Sequence, residues 1–158
     1  MTIATGAKIP KITLKVMGSN GPEDVTTEAL FSGKKVVLFG VPGAFTPGCS
    51  NTHLPGFVVK ADDIKAKGVD SIICMAVNDA FVMGAWGQAQ NAEHLTMLAD
   101  GNGEFTRAMG LELDASGFQM GERCKRFALI ANDGVVELLN IDAKGVDATS
   151  AETILAAL

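Results

Sequence analysis

Three runs rich in apolar residues set the expected architecture. Val36-Val37-Leu38-Phe39-Gly40 is bounded by turn residues and reads as a buried strand. Val69 to Asn78 reads as a second buried strand, and Leu95 to Ala99 as a third, closed by Asp100-Gly101-Asn102-Gly103. Between these runs the period changes. Ser50 to Lys67 spaces its apolar residues for a helix, in which Pro55 should kink or restart the axis and Gly68 should cap the end. Ala80 to Asn91 does the same behind a cap from Asn78 or Asp79, with Phe81, Val82, Ala85 and Trp86 near one face. Ile12 to Met17 alternates as a strand, Asn20-Gly21-Pro22 is a turn, and Thr26 to Phe31 is a short capped helix ended by Gly33. Glu104 to Met109 is another short helix. Phe127 to Ala131 and Val135 to Leu139 flank Asn132-Asp133-Gly134, an antiparallel hairpin signal, and Ala151 to Leu158 is a terminal helix capped by Thr149 or Ser150. This order predicts a three-layer α/β fold with a central mixed β-sheet flanked by helices.

Composition narrows the function classes. At 158 residues, 47% of them apolar and 20% charged, the chain is long enough to bury a core as one domain, residues 1–158. Its net charge is −5, its pI is near 4.9, and its basic residues cluster only at Arg123 to Arg126, which argues against nucleic acid and anionic membranes as partners. Met1 to Pro10 lacks the apolar core of a signal peptide. Three cysteines, an odd number without paired spacing, suit a reducing compartment, with the cytoplasm as the expectation.

The chemistry centres on the loop after the first buried strand, Val41-Pro42-Gly43-Ala44-Phe45-Thr46-Pro47-Gly48-Cys49-Ser50. Pro47 fits the opening of the following helix, where its missing N–H is not needed. Cys49 thus sits at a helix's first turn, where free N–H groups and the helix dipole favour an anion such as a thiolate. The alternative is a small buried core residue. A free thiol with a pKa of about 8.5 is only about 3% ionised at pH 7. Lowering that pKa gains at most some thirtyfold in thiolate, and a more acidic thiolate is a weaker nucleophile. A fast reaction therefore needs donors that stabilise charge in the transition state. Thr46 can bring its hydroxyl beside the sulfur if the loop turns back, the N–H groups of Gly48 and Cys49 can add donors, and Pro42 can shield the sulfur from water. A fixed positive charge must come from elsewhere in the chain.

Pro42, Thr46 and Cys49 form P-x-x-x-T-x-x-C, and the full string, VPGAFTPGCS followed by THLPGF, resembles the active-site loop of the peroxiredoxins, in their type II (peroxiredoxin-5-like) branch. Ser71-Ile72-Ile73-Cys74, Val77 to Trp86, Leu98 to Gly101 and Lys125 to Leu129 extend the resemblance from about Lys8 to the C-terminus. It implies a thioredoxin-like fold and attack of Cys49 on hydrogen peroxide or an alkyl hydroperoxide, giving a cysteine sulfenic acid. It places the family's active-site arginine at Arg126, which by itself reads as a surface residue opening a strand. Arg123 could hold a nearby carboxylate. It sets the loops of Phe45, Phe81 and Phe118 near an apolar mouth and the contact of a homodimer, although aromatics are by default core. His53, four residues after Cys49, shares its helix face. A Cys-x-x-x-His pair alone cannot complete a zinc site, so no metal is expected and His53 reads as a structural hydrogen-bonding residue. His94 reads as a solvated loop residue. No cofactor motif is present.

Animal members of the branch carry a resolving cysteine where this chain reads Ala148-Thr149-Ser150-Ala151. Cys74 stands where plant-type members have a second cysteine, mid-strand and buried by expectation. If Cys124 to Arg126 is extended, both side chains share one face and Cys124 could approach the site. A one-cysteine mechanism is favoured, in which separate glutathione, glutaredoxin or thioredoxin reduces the sulfenic acid. Two rival classes remain: a disulfide exchanger, which would need C-x-x-C, and a non-catalytic redox sensor switched by oxidation of Cys49.

Overall fold

The computed structural model describes residues 1–158. Nine strands and five α-helices follow in the order β1 (Thr13–Gly18), β2 (Gly21–Thr26), α1 (Thr27–Phe31), β3 (Lys35–Gly40), α2 (Leu54–Ala66), β4 (Ser71–Ala76), α3 (Ala80–Ala89), β5 (Thr96–Ala99), α4 (Glu104–Ala108), β6 (Glu112–Asp114), β7 (Glu122–Cys124), β8 (Arg126–Asn132), β9 (Val135–Asp142) and α5 (Ala151–Ala157). Seven strands form one sheet in the order β2-β1-β5-β4-β3-β8-β9, and β6 and β7 make a separate ribbon. The β3–β4 and β4–β5 pairs are parallel and the others antiparallel, so the sheet is mixed as expected.

The central strands read as continuous apolar runs because both their faces are covered. Val37, Phe39, Cys74, Ala128 and Ile130 face α2, α3 and α5; Val36, Leu38, Ile73, Phe127 and Leu129 face α1, α4 and the segment around Leu111. Thr26, Asp79 and Ser150 cap α1, α3 and α5 through their side chains. Asp133 and Gly134, with φ of 50° and 75°, make the tight turn between β8 and β9.

Three features depart from the sequence reading. Strand β2 pairs with β1 over its whole length although it carries no apolar alternation; it is an edge strand, where Pro22, Glu23 and Asp24 deter further pairing. The β6–β7 ribbon was not anticipated. The segment Cys124–Arg126 is not one extended strand. Lys125 N–H turns aside to Leu111 O, and across that break Cys124 packs with Phe127 and Leu129 while Arg126 emerges on the opposite face. Cys124 and Arg126 therefore do not share a face.

Candidate active site

The helix that begins at Pro47 widens before it becomes α2. Gly48 is already helical, with φ −63° and ψ −37°, and Cys49–His53 form a π-helical turn in which Leu54 N–H donates to Cys49 O, five residues back. Pro55 accounts for the widening. It has no N–H to donate, and its ring would crowd the carbonyl four residues earlier in a regular α-helix. The restart anticipated at Pro55 takes this form, with Pro55 in the first turn of α2.

Cys49 is fully buried. Arg126, the first residue of β8, donates from Nη2 to Cys49 Sγ at 3.3 Å. The guanidinium lies against the backbone of Gly48, where a Cβ would stand 3.1 Å from Nη2, so any side chain there would press on the cation beside the sulfur. Gly40 serves in the same way one layer beneath, since a Cβ there would collide with the ring of Phe127. Arg126 donates from Nη1 to His53 Nδ1 at 2.8 Å, and His53 Nε2 lies 2.9 Å from Thr149 O. The carbonyl can only accept, so Nε2 carries the proton and Nδ1 presents its lone pair to Arg126. Burial of the ring lowers the His53 pKa to about 4, helped by the Arg126 charge and opposed by the Thr149 carbonyl and the Asp142 charge. His53 is neutral at pH 7, and both its nitrogens are occupied by this chain.

Thr46 donates its hydroxyl to Gly43 O at 2.7 Å rather than to the sulfur, which leaves its oxygen free to accept. The loop is tied down by Ala44 N–H to Asn78 Oδ1 and by Ser50 N–H to Thr46 O. Phe45 holds a left-handed φ of 65°, a strained conformation for a side chain of its size. Phe45, Phe81 and Phe118 are exposed by 56%, 66% and 83%, so none is core. Trp86 is core, with its indole N–H on Ser50 Oγ. Arg123 donates to the Met120 carbonyl and not to a carboxylate, contrary to expectation. His94 is exposed.

Cys74 and Cys124 are free and buried like Cys49. Burial pushes the Cys74 thiol well up, reinforced by the neighbouring cysteines. Burial also raises Cys124, reinforced by the Asp100 carboxylate, and its Sγ donates to Val41 O at 3.1 Å. Both are therefore protonated at neutral pH.

Comparison with known proteins places this geometry. The Redoxin family model matches residues 4–155. Peroxiredoxin-2B of Arabidopsis thaliana is 46% identical over 159 residues, covering 99% of this chain and 98% of its own. The reduced Prx3 of Vibrio vulnificus, in complex with hydrogen peroxide, is 55% identical with a TM-score of 0.95 over 99% of both chains. Peroxiredoxin 5 of Alvinella pompejana is 35% identical with a TM-score of 0.86, over 98% of this chain and 97% of its own. The fold is accordingly thioredoxin-like, and with such likeness over nearly the whole chain, the chain belongs to the peroxiredoxin family, in its type II branch.

Proposed function

We propose that this chain reduces hydrogen peroxide and alkyl hydroperoxides through Cys49 and is returned to its thiol form by a separate reductant. The observation that carries the reading is the 3.3 Å hydrogen bond from Arg126 to Cys49 Sγ at the start of a helix. The cation faces the place where charge moves as the O–O bond breaks. The thiolate attacks one peroxide oxygen; the S–O bond forms, the O–O bond breaks, and the leaving oxygen takes a proton to become water or an alcohol. Sulfur is oxidised by two electrons to the sulfenic acid. Thr46 Oγ1, its own hydrogen engaged by Gly43, is available to accept from the hydroperoxide O–H. Pro42 precedes this loop without a competing N–H, and Gly48 leaves room for the guanidinium. A crystallised Prx3 in complex with hydrogen peroxide supports the substrate class.

Two thiol equivalents from glutathione, glutaredoxin or thioredoxin then convert the sulfenic acid to a mixed disulfide with release of water, and the mixed disulfide back to Cys49. The external route is favoured because Cys74 and Cys124 are protonated and buried, and Cys124 packs on the opposite face of the sheet. The exposed Phe45, Phe81 and Phe118 suit a homodimer contact beside an apolar mouth. Three free cysteines suit the cytoplasm.

Intact mass after one equivalent of hydrogen peroxide, with a sulfenic-acid trap present, tests the reading on wild type and Cys49→Ser. A trapped adduct on wild type alone is expected. Loss of two hydrogens without an adduct would make the resolving thiol internal. No rapid change in either protein would favour the non-catalytic sensor.

A further inference from the structure

Arg126 is an unusual arginine for a site so enclosed, because no carboxylate holds it. The chain's ion pairs are Lys11–Glu28, Lys15–Asp24 and Arg107–Glu122. By register the cross-strand partner of Arg126 is Asp142, which could have reached it. Asp142 is committed elsewhere. Its Oδ2 accepts from Asp147 N–H at 2.8 Å, Thr149 N–H at 2.9 Å and Thr149 Oγ1 at 2.7 Å, and its Oδ1 accepts from Ala148 N–H at 3.2 Å. These bonds fix the turn before α5 and aim the Thr149 carbonyl at His53. The His53 ring packs in turn, tilted, against Phe39 and Phe57, which stack on each other at 4.0 Å, with its centroid 4.9 and 5.6 Å from theirs.

We propose that His53 is a positioning residue for Arg126: a buried, uncharged acceptor that fixes the guanidinium on Cys49 without neutralising it, and that is itself set by the turn at Asp142–Thr149. The proposal rests on the peroxidase reading of Cys49. Its physical content is a choice between two kinds of anchor. A carboxylate at this place would hold the guanidinium more tightly but would cancel its field at the sulfur, where the positive charge is wanted. An imidazole lone pair supplies direction and almost no opposing charge. The Arg126 guanidinium is a rigid planar fork on a flexible stem, so a hydrogen bond at Nη1 restricts the stem to rotamers that place Nη2 on Cys49 Sγ. The charged groups facing His53 are Arg126 from β8 and Asp142 from β9; with Asp142 occupied by the turn, His53 is the acceptor left to hold Arg126 Nη1.

Single-turnover oxidation by hydrogen peroxide tests this on His53→Phe, His53→Asn and His53→Phe in an Arg126→Gln background. Phenylalanine keeps a ring against the stacked Phe39 and Phe57 and removes the acceptor. It should slow oxidation of Cys49 roughly 10- to 100-fold, the cost of a misplaced catalytic group. Asparagine puts a neutral oxygen near the place of Nδ1 and should recover the rate to within about fivefold of wild type, as a conservative rescue of positioning requires. In the Arg126→Gln background the same His53→Phe change should cost less than about threefold, because the group it acts through is gone. An unchanged rate in His53→Phe, or an equal loss with and without Arg126, would overturn the proposal. Nitrogen chemical shifts of wild-type His53 give a readout that needs no variant to fold: a protonated Nε2 and bare Nδ1 support the proposal, and a protonated Nδ1 refutes it. A wild type no faster than a free thiol would instead sink the peroxidase reading, a failure visible before any His53 variant is made.

Discussion

The surroundings of Cys49 and Cys124 differ although both thiols are fully buried, on opposite faces of one sheet. Cys49 Sγ accepts a hydrogen bond from Arg126; Cys124 Sγ donates one to Val41 O. Beside Cys49 lie a cation and the opening turn of a helix, and beside Cys124 lie a carbonyl and the field of Asp100. Burial alone raises a thiol's pKa and makes it inert. The hydrogen bonds at the two sulfurs run in opposite directions, and that is the difference on which the proposed reactivity of Cys49 rests.

The sharpest way to break that contrast is to remove the cation. Arg126→Gln keeps a donor near the sulfur and loses the charge, and it should lower the second-order rate with hydrogen peroxide roughly 10²- to 10³-fold, the scale for removing one oxyanion-type donor. Stopped-flow measurement of Cys49 oxidation reads this directly. A loss under about tenfold would mean that the loop and helix start, rather than Arg126, distinguish Cys49 from Cys124.

Much of this contrast could be read from the chain before the fold was known. The continuous apolar runs of β3, β4 and β8 and the Asn132-Asp133-Gly134 turn carry the sheet in local signals. The loop string pointed to Cys49 and, through the resemblance, to Arg126. What stayed hidden depends on tertiary placement. The spacing of Cys49 and His53 puts them on one helix face, yet nothing local says that the Nη1 of a residue 73 positions away will occupy the ring. The face of Cys124 was misread because a period of two assumes an unbroken strand, and Lys125 breaks it by pairing with Leu111. Strand β2 was missed because its pairing with β1, rather than an apolar face, holds it in place.

A second, smaller effect sharpens the comparison through pH. His53 is buried with its pKa lowered to about 4 from 6.5, so the unfolded chain binds a proton more readily than the folded one between those values. The stability owed to neutral His53 is fully present above about pH 6.5 and is lost as pH falls toward 4. The loss should be on the order of 3 kcal/mol. Urea unfolding at pH 7, 5.5 and 4 measures it, and His53→Asn should lose most of that slope. Asp142 does not confound the window. Burial opposes its charge but is outweighed by hydrogen bonds from Asp147, Thr149 and Ala148, which hold it at about 2. A wild-type stability that stays flat from pH 7 to 4 would mean that His53 takes up its proton while still seated, and its neutral-acceptor role would fall with it.

The smallest expected effect falls on the other side of the comparison. Cys124→Ser keeps a donor for Val41 O and should cost about 1 kcal/mol of stability, the usual size for exchanging one buried hydrogen bond for another of different strength. Oxidation of Cys49 by hydrogen peroxide should stay within about twofold of wild type, because Cys124 shares neither face nor hydrogen bond with the site. Turnover with an external thiol should be equally unaffected. The two rates together separate the possible roles: a slowed first step would mean that the Val41 carbonyl, held by Cys124, sets the position of the adjoining Pro42. An intact first step with lost turnover would instead show that the turn opens far enough for Cys124 to reach the sulfenic acid. If neither rate moves, Cys124 is as inert as its hydrogen bond implies, and the polarity of one bond at sulfur is enough to tell two equally buried thiols apart.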